Sequence, residues 1–173
     1  MKMSWLRLLL ATLACLALTQ GATAQIAKVQ ALYLFQFAKN IGWPEADADK
    51  DFVVVVVGDD EVAAELTSIA ANKKVGNRKV EVVRTNSLQN ATTANILFVS
   101  SSKRSLLPSA ASMAYKQKML LVSGNDGECP NGASISFAKA AGGKLSFEIS
   151  ERNIKRSGLS VAPKLLNLGK AVD

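Results

Sequence analysis

The chain has 173 residues, with 21 lysines and arginines against 14 aspartates and glutamates, and it contains no histidine. The lack of histidine excludes Ser-His-Asp and Cys-His catalytic units and most zinc sites. The net charge of +7 is not gathered into a basic run interleaved with aromatics, so the sequence does not predict a nucleic-acid partner.

The first 24 residues have the layout of a bacterial secretory signal. A short basic start precedes an apolar run over residues 8–18. Ala22, Thr23 and Ala24 then supply the small-x-small pattern that a signal peptidase cuts before Gln25. The run is shorter than the ~20 residues that a membrane-spanning helix needs. We therefore expect export to the periplasm, followed by cleavage.

Two alternatives to a cleaved signal remain, namely an uncleaved anchor helix and a lipid anchor at Cys15. Under the cleavage prediction, residues 25–173 form the exported protein, which leaves 149 of the 173 residues. That length suits one domain with a substantial core.

The exported part is predicted to begin with a helix over residues 27–41. Gly42-Trp43-Pro44 ends it, because proline cannot continue a helix and restricts the residue before it. The apolar residues of this helix cover a wide arc, which indicates contacts on two sides. Trp43 is interpreted as a plug at the edge of the core, with an interface anchor as the alternative.

The middle of the chain alternates between strand and helix signals. Three unbroken apolar runs are typical of central strands in a parallel sheet, buried on both faces. A fourth run alternates and fits a strand nearer an edge. The predicted order is strand 52–57, helix 61–73, strand 79–85, strand 96–99, helix 102–117 with a kink near Pro108, and strand 119–122.

The pattern changes after residue 130. Residues 133–137 and 145–149 alternate apolar and polar positions around Gly142-Gly143, which predicts a β-hairpin. Ser150 is expected to cap a short helix over residues 151–156, and Pro163 to open a last helix. The fold class is therefore α/β, a mostly parallel sheet flanked by helices with a C-terminal antiparallel β-hairpin.

Gly58-Asp59-Asp60 follows a buried strand, where α/β folds often bind ligands. One glycine with two carboxylates does not suit a phosphate, so we interpret the segment as a helix cap. A hard cation held with Glu61 is the alternative.

Ser100 and Lys103 match a Ser-x-x-Lys pattern, in which lysine activates a serine nucleophile. The supporting motifs of such hydrolases are absent, so we favour a loop and helix cap. A second hypothesis places a small-molecule ligand at the carboxyl ends of the strands, near Gly58 and Ser100.

Cys129 is the one cysteine within residues 25–173, so it has no intramolecular partner. The glycines and proline around it predict an exposed loop. That prediction leaves open an intermolecular disulfide at Cys129, beside a mixed disulfide and a free thiol.

Several segments of the chain form a recognisable series. They are residues 33–41 with Trp43-Pro44, the valine strand ending at Gly58, and residues 132–137, 145–149 and 158–166. In their order and spacing these segments resemble the YfiR/HmsC-like periplasmic family, and the resemblance covers nearly all of the chain after the signal.

The resemblance implies a non-enzymatic regulator without a cofactor. It implies that the regulator binds the periplasmic domain of an inner-membrane diguanylate cyclase and inhibits it. Cyclic di-GMP, exopolysaccharide and biofilm formation are then restrained. An outer-membrane peptidoglycan-binding lipoprotein is implied as a second partner, and a homodimer as the assembly.

In relatives, the hairpin strand and the helix after it contact the partner, which implies roles for Glu148 and Ile154. By alternation, Glu148 lies on the polar face of the hairpin, free to meet a partner. Ile154 is then an exposed apolar anchor; the alternatives are a solvated Glu148 and a core Ile154. Relatives also carry cysteine pairs, whereas Cys129 lacks a partner, so redox control by an internal disulfide is not expected.

Overall fold

The computed structural model describes residues 24–44 and 49–172, except for the side chain of Ala141. Within these ranges no helix combines the length and apolarity needed to cross a bilayer. The helices are α1 (residues 24–40), α2 (Asp60–Ala70), α3 (Leu107–Gln117), α4 (Glu151–Arg156) and α5 (Pro163–Leu166). The strands are β1 (Ile41–Gly42), β2 (Phe52–Val57), β3 (Val80–Thr85), β4 (Ile96–Val99), β5 (Leu120–Ser123), β6 (Ile135–Lys139), β7 (Leu145–Ile149), β8 (Ser160–Val161) and β9 (Lys170–Ala171).

A seven-stranded sheet with the order β3-β2-β4-β5-β6-β7-β9 forms the centre of the fold. The strands from β3 to β6 in this order run parallel, and β7 pairs antiparallel with β6. The predicted α/β class, the parallel sheet and the C-terminal hairpin are confirmed. β3 lies at an edge of the sheet, in agreement with its alternating pattern.

The unbroken apolar strands are buried because helices cover both faces of the sheet. In β2, Val54 and Val56 face one core cluster, which includes residues of α1, α2 and α4. Val55 and Val57 face the other cluster, which includes residues of α3. Successive side chains of a strand point to opposite faces, so each strand contributes to both cores.

Local sequence signals set the ends of most elements. Asp59 caps α2, since its Oδ1 accepts a hydrogen bond of 3.0 Å from the amide of Val62. Ser150 caps α4 in the same way through Asn153. The predicted helix over residues 102–117 is divided near Pro108 into a 3₁₀ turn and α3.

The C-terminal segment adds pairings that the sequence did not predict. β8 pairs antiparallel with β1, which ties the end of α1 to the C-terminal part of the chain. β9 pairs parallel with β7 and becomes the edge of the large sheet beyond the hairpin. β7 is therefore an inner strand of the sheet, and its Glu148 lies beside Lys170 of β9.

Candidate functional site

The main candidate site is a cleft of about 800 Å³ at the carboxyl ends of the parallel strands. The chain goes from β2 to one side of the sheet for β3 and to the other side for β4, so the strand order reverses between β2 and β4. In open α/β sheets such a reversal opens a crevice where ligands bind. We call it the carboxyl-edge cleft. It is lined by residues of α1 (26, 27, 30), the turn before α2 and its first residues (58–61), β4 and the turn after it (98, 100–102), the loop after β5 (124, 126) and the hairpin (137–139, 143, 145).

Gly58 and two serines form the inner edge of the carboxyl-edge cleft. The hydroxyls of Ser100 and Ser102 donate to the carbonyl oxygen of Gly58 over 3.0 and 3.1 Å, and their oxygens lie 2.9 Å apart. Gly58 has a φ of +79°, and a Cβ placed there would lie 2.3 Å from Cγ of Lys103. Glycine is required at this turn for both its conformation and the close approach of Lys103.

The Ser100 hydroxyl is part of this structural network rather than an activated nucleophile. Ser100 is buried, and its hydroxyl proton is donated either to the Gly58 carbonyl oxygen or to the Ser102 hydroxyl oxygen. Within the described residues no hydrogen bond joins its Oγ to Lys103; the lysine amide instead donates to the Ser100 carbonyl. Ser100 stands at the N-cap position of the 3₁₀ turn, but its side chain makes no cap hydrogen bond there. The geometry therefore agrees with the loop interpretation of the Ser-x-x-Lys match and not with a side-chain cap.

Acidic side chains line the outer wall of the carboxyl-edge cleft. Asp59 is the α2 cap, and Asp60 is paired with Arg84 over 3.2 Å at the surface. Glu61 and Asp126 are exposed at the same rim. No cluster of three potential metal ligands is found in the described part of the chain. The hydrogen bond from the Val62 amide to Asp59 Oδ1 confirms the capping interpretation of Asp59.

Sequence reasoning found the Gly58 and Ser100 side of the cleft but not its other walls. Gln30 comes from α1, and Phe137, Lys139 and Leu145 come from the hairpin. These residues are far apart in the sequence, so no local pattern joins them. The strand order β3-β2-β4-β5-β6 in the structure identifies the cleft, because its reversal between β2 and β4 implies a crevice at this edge.

Glu148 is not free on an open polar face. Its carboxylate accepts a hydrogen bond of 3.0 Å from Nζ of Lys170, and its side chain is only 12% exposed. This bond raises the pKa of Lys170 above its ordinary value. The expectation of an unengaged Glu148 is wrong because β9 pairs alongside it.

Ile154 is fully buried and belongs to the large core cluster. Helix α4 is only six residues long, and its charged residues face outward while Ile154 points into the core. The exposed-anchor interpretation is therefore wrong, and the core alternative is confirmed. Any influence of Ile154 on a partner acts through the position of α4.

Cys129 is buried, so the predicted exposed loop is wrong. Its Sγ lies 3.5 Å from Oγ of Ser136 in β6, and burial raises the pKa of the thiol. Next to it, the buried Glu128 is paired with Arg104 and accepts a hydrogen bond from Asn131. These bonds satisfy the polar groups of the segment, and an intermolecular disulfide at Cys129 would require the segment to open.

Trp43 packs at the edge of the core. Its Nε1 donates to the carbonyl of Ala38 over 2.8 Å, and its ring meets Phe52 edge-on at 4.9 Å. The core-plug interpretation agrees with these contacts. Residues 1–23 of the predicted signal, which include Ala22, lie outside the described residues, whereas Ala24 and Gln25 are exposed in the first described turn of α1.

Comparison with known proteins identifies the family. A family model described as YfiR/HmsC-like matches residues 27–170. The chain belongs to the YfiR/HmsC-like family. This is a family of regulators, and the match includes the described strands up to Lys170 of β9 and every residue that lines the carboxyl-edge cleft except Ile26. No curated protein sequence matches the chain with significance.

One solved structure similar to this YfiR/HmsC-like chain is that of a conserved domain protein from Vibrio cholerae O1 biovar El Tor strain N16961. The two share 12% sequence identity with a TM-score of 0.55, over 85% of this chain and 60% of that one. The chain thus corresponds to 60% of the length of that protein. At this identity the likeness concerns the fold alone, an α/β arrangement with a mostly parallel sheet.

Proposed function

We propose that this chain is a periplasmic regulator that binds the periplasmic domain of an inner-membrane diguanylate cyclase and keeps the enzyme inactive. The observation that carries the proposal is the YfiR/HmsC-like match over residues 27–170. The signal-like residues 1–24 and the absence of histidine from the sequence agree with an exported protein that acts by binding.

Inhibition by binding requires that the regulator distinguish two states of the cyclase. It must bind the inactive state more tightly than the active one, because equal affinity shifts no equilibrium. A change from mostly active to mostly inactive requires about 5 kcal/mol of differential affinity. An interface of ordinary size can supply this energy without covalent chemistry.

The proposed contact surface is the β7–α4 corner, comprising Leu145–Ile149 and Glu151–Arg156. In this corner the Glu148–Lys170 pair fixes the sheet edge, and Ile154 holds α4 against the core. Both residues would then act by positioning the corner. A homodimer and an outer-membrane peptidoglycan-binding lipoprotein that sequesters the regulator complete the proposal, and its output is restraint of exopolysaccharide and biofilm formation.

Gene deletion with complementation tests the proposed function. We expect deletion to raise cellular cyclic di-GMP, measured by mass spectrometry, and the complete gene to restore the lower level. A matched gene without codons 2–24 should not restore it, because its product stays in the cytoplasm. An unchanged level after deletion, with no cyclase retained by the tagged protein, argues against the proposal.

A further inference from the structure

We propose that the carboxyl-edge cleft binds a small organic cation, namely an amine carried on an aromatic or aliphatic body. The cleft shares Leu145 with the β7–α4 corner that the proposed function uses for its protein partner, and its other lining residues lie outside that corner. Three features of the cleft carry the inference: the charge of its rim, the apolar character of its interior, and polar groups inside it that have unused hydrogen-bonding capacity.

The charge of the rim is opposite to that of the chain. The chain as a whole carries +7. Four of the residues that line the carboxyl-edge cleft are nevertheless acidic, namely Asp59, Asp60, Glu61 and Asp126. The lining contains one lysine, Lys139. Asp60 is paired with Arg84, so Asp59, Glu61 and Asp126 remain against Lys139. The net charge of the rim is therefore negative, which attracts cations and repels anions, whereas the net charge of the chain is positive.

The interior of the cleft is apolar. Phe98 and Phe137 are both buried at its inner end, and Leu145 is half-buried beside them. Ile26 of α1 is 46% exposed at the opening. A volume of about 800 Å³ with this lining is within the range of small-molecule sites. The body of the ligand is therefore expected to be apolar and its charged end to face the acidic rim.

Polar groups inside the cleft have unused acceptors. Gln30 is only 9% exposed and lines the cleft, yet its side-chain amide has no hydrogen-bond partner among residues 24–44 and 49–172. Ser100 and Ser102 each have one hydroxyl proton, which is donated either to the Gly58 carbonyl oxygen or to the other serine, so lone pairs of their oxygens stay free. An ammonium group has only donors and complements these acceptors.

Three compounds that share a benzene ring on a short chain test the charge preference. They are phenethylamine, the neutral 2-phenylethanol and the anionic 3-phenylpropanoate. Calorimetric titration into the purified full chain should show saturable binding of the amine. The alcohol should bind about tenfold more weakly, as expected for loss of a charge interaction at a solvated rim.

Paired variants locate the binding. Glu61→Gln combined with Asp126→Asn should weaken phenethylamine about tenfold, since both carboxylates are at the rim. Glu65→Gln is the matched control, because Glu65 is on the same helix but does not line the cleft. Gln30→Leu should also weaken binding, with unchanged melting temperature as evidence of folding.

Three results would overturn the proposal. They are no saturable binding of phenethylamine up to about 10 mM, tighter binding of 3-phenylpropanoate than of phenethylamine, and equal losses of phenethylamine affinity in the double variant and the Glu65→Gln control. The titration uses purified protein alone. Its outcome is therefore independent of whether the chain inhibits a cyclase.

Discussion

Ser136 is the position where one substitution should give Cys129 a covalent partner. The Cys129 Sγ and the Ser136 Oγ are 3.5 Å apart, and both residues are buried. A disulfide requires the two sulfurs at about 2.04 Å, so small side-chain rotations must bring them closer. A disulfide that closes a loop over residues 129–136 lowers the entropy of the unfolded chain and so raises its free energy by about 2.5 kcal/mol. After strain we expect about 1–2 kcal/mol of net stabilisation for oxidised Ser136→Cys.

The reduced form of the same variant is the control. Thermal unfolding followed by circular dichroism should show the oxidised variant melting about 2–8 °C above its reduced form. The unsubstituted protein should show no effect of reductant, because Cys129 is its one cysteine after residue 24. Two titratable thiols under oxidising conditions, or a lower melting temperature on oxidation, would refute the geometry on which this reasoning depends.

Three further substitutions test the packing and electrostatics. Ile154→Ala should lower the free energy of unfolding by about 2–5 kcal/mol in urea titrations, because Ile154 is fully buried; a loss below about 1 kcal/mol would contradict its core position. Asp59→Ala should cost about 1 kcal/mol through loss of the cap bond to Val62, whereas Asp59→Asn should retain most of it; equal losses would exclude the cap. Burial raises the Cys129 pKa above its ordinary value of 9.0, so its stabilising contribution is complete below that value and falls as pH rises toward the folded-state pKa. Comparing unfolding free energies of the unsubstituted protein and Cys129→Ala from pH 7 to about 10 should reveal this decline, and a difference independent of pH would argue against burial of the thiol.

The elements that the sequence predicted well are those whose signal is local and redundant. The valine run in β2 combines β propensity with burial on both faces, so it indicated a central strand without help from neighbours. The caps at Asp59 and Ser150 are equally local, because each side chain bonds an amide three residues away. Alternation in the hairpin indicated its two strands, which the structure pairs as β6 and β7.

The errors arose where tertiary pairing overrides local pattern. Lys170–Ala171 has no apolar signal, and it forms a strand only because β7 offers an edge. That pairing then engages Glu148. Residues around Cys129 have turn composition, yet Glu128 is buried there. Its carboxylate is paired with Arg104, which precedes it in the sequence by 24 residues. Such pairings depend on the assembled fold, so single-sequence reasoning did not detect them.

The most direct test of the central claim measures cyclase activity in the presence of the purified protein. Inner-membrane vesicles that carry the cyclase, oriented with the periplasmic domain outward and loaded with GTP, would be titrated with the full chain. We expect cyclic di-GMP synthesis to fall to a saturating minimum as the protein is added, with heat-unfolded protein as control. Synthesis that is unaffected at saturating protein, in vesicles where a known cyclase inhibitor still acts, would contradict the account.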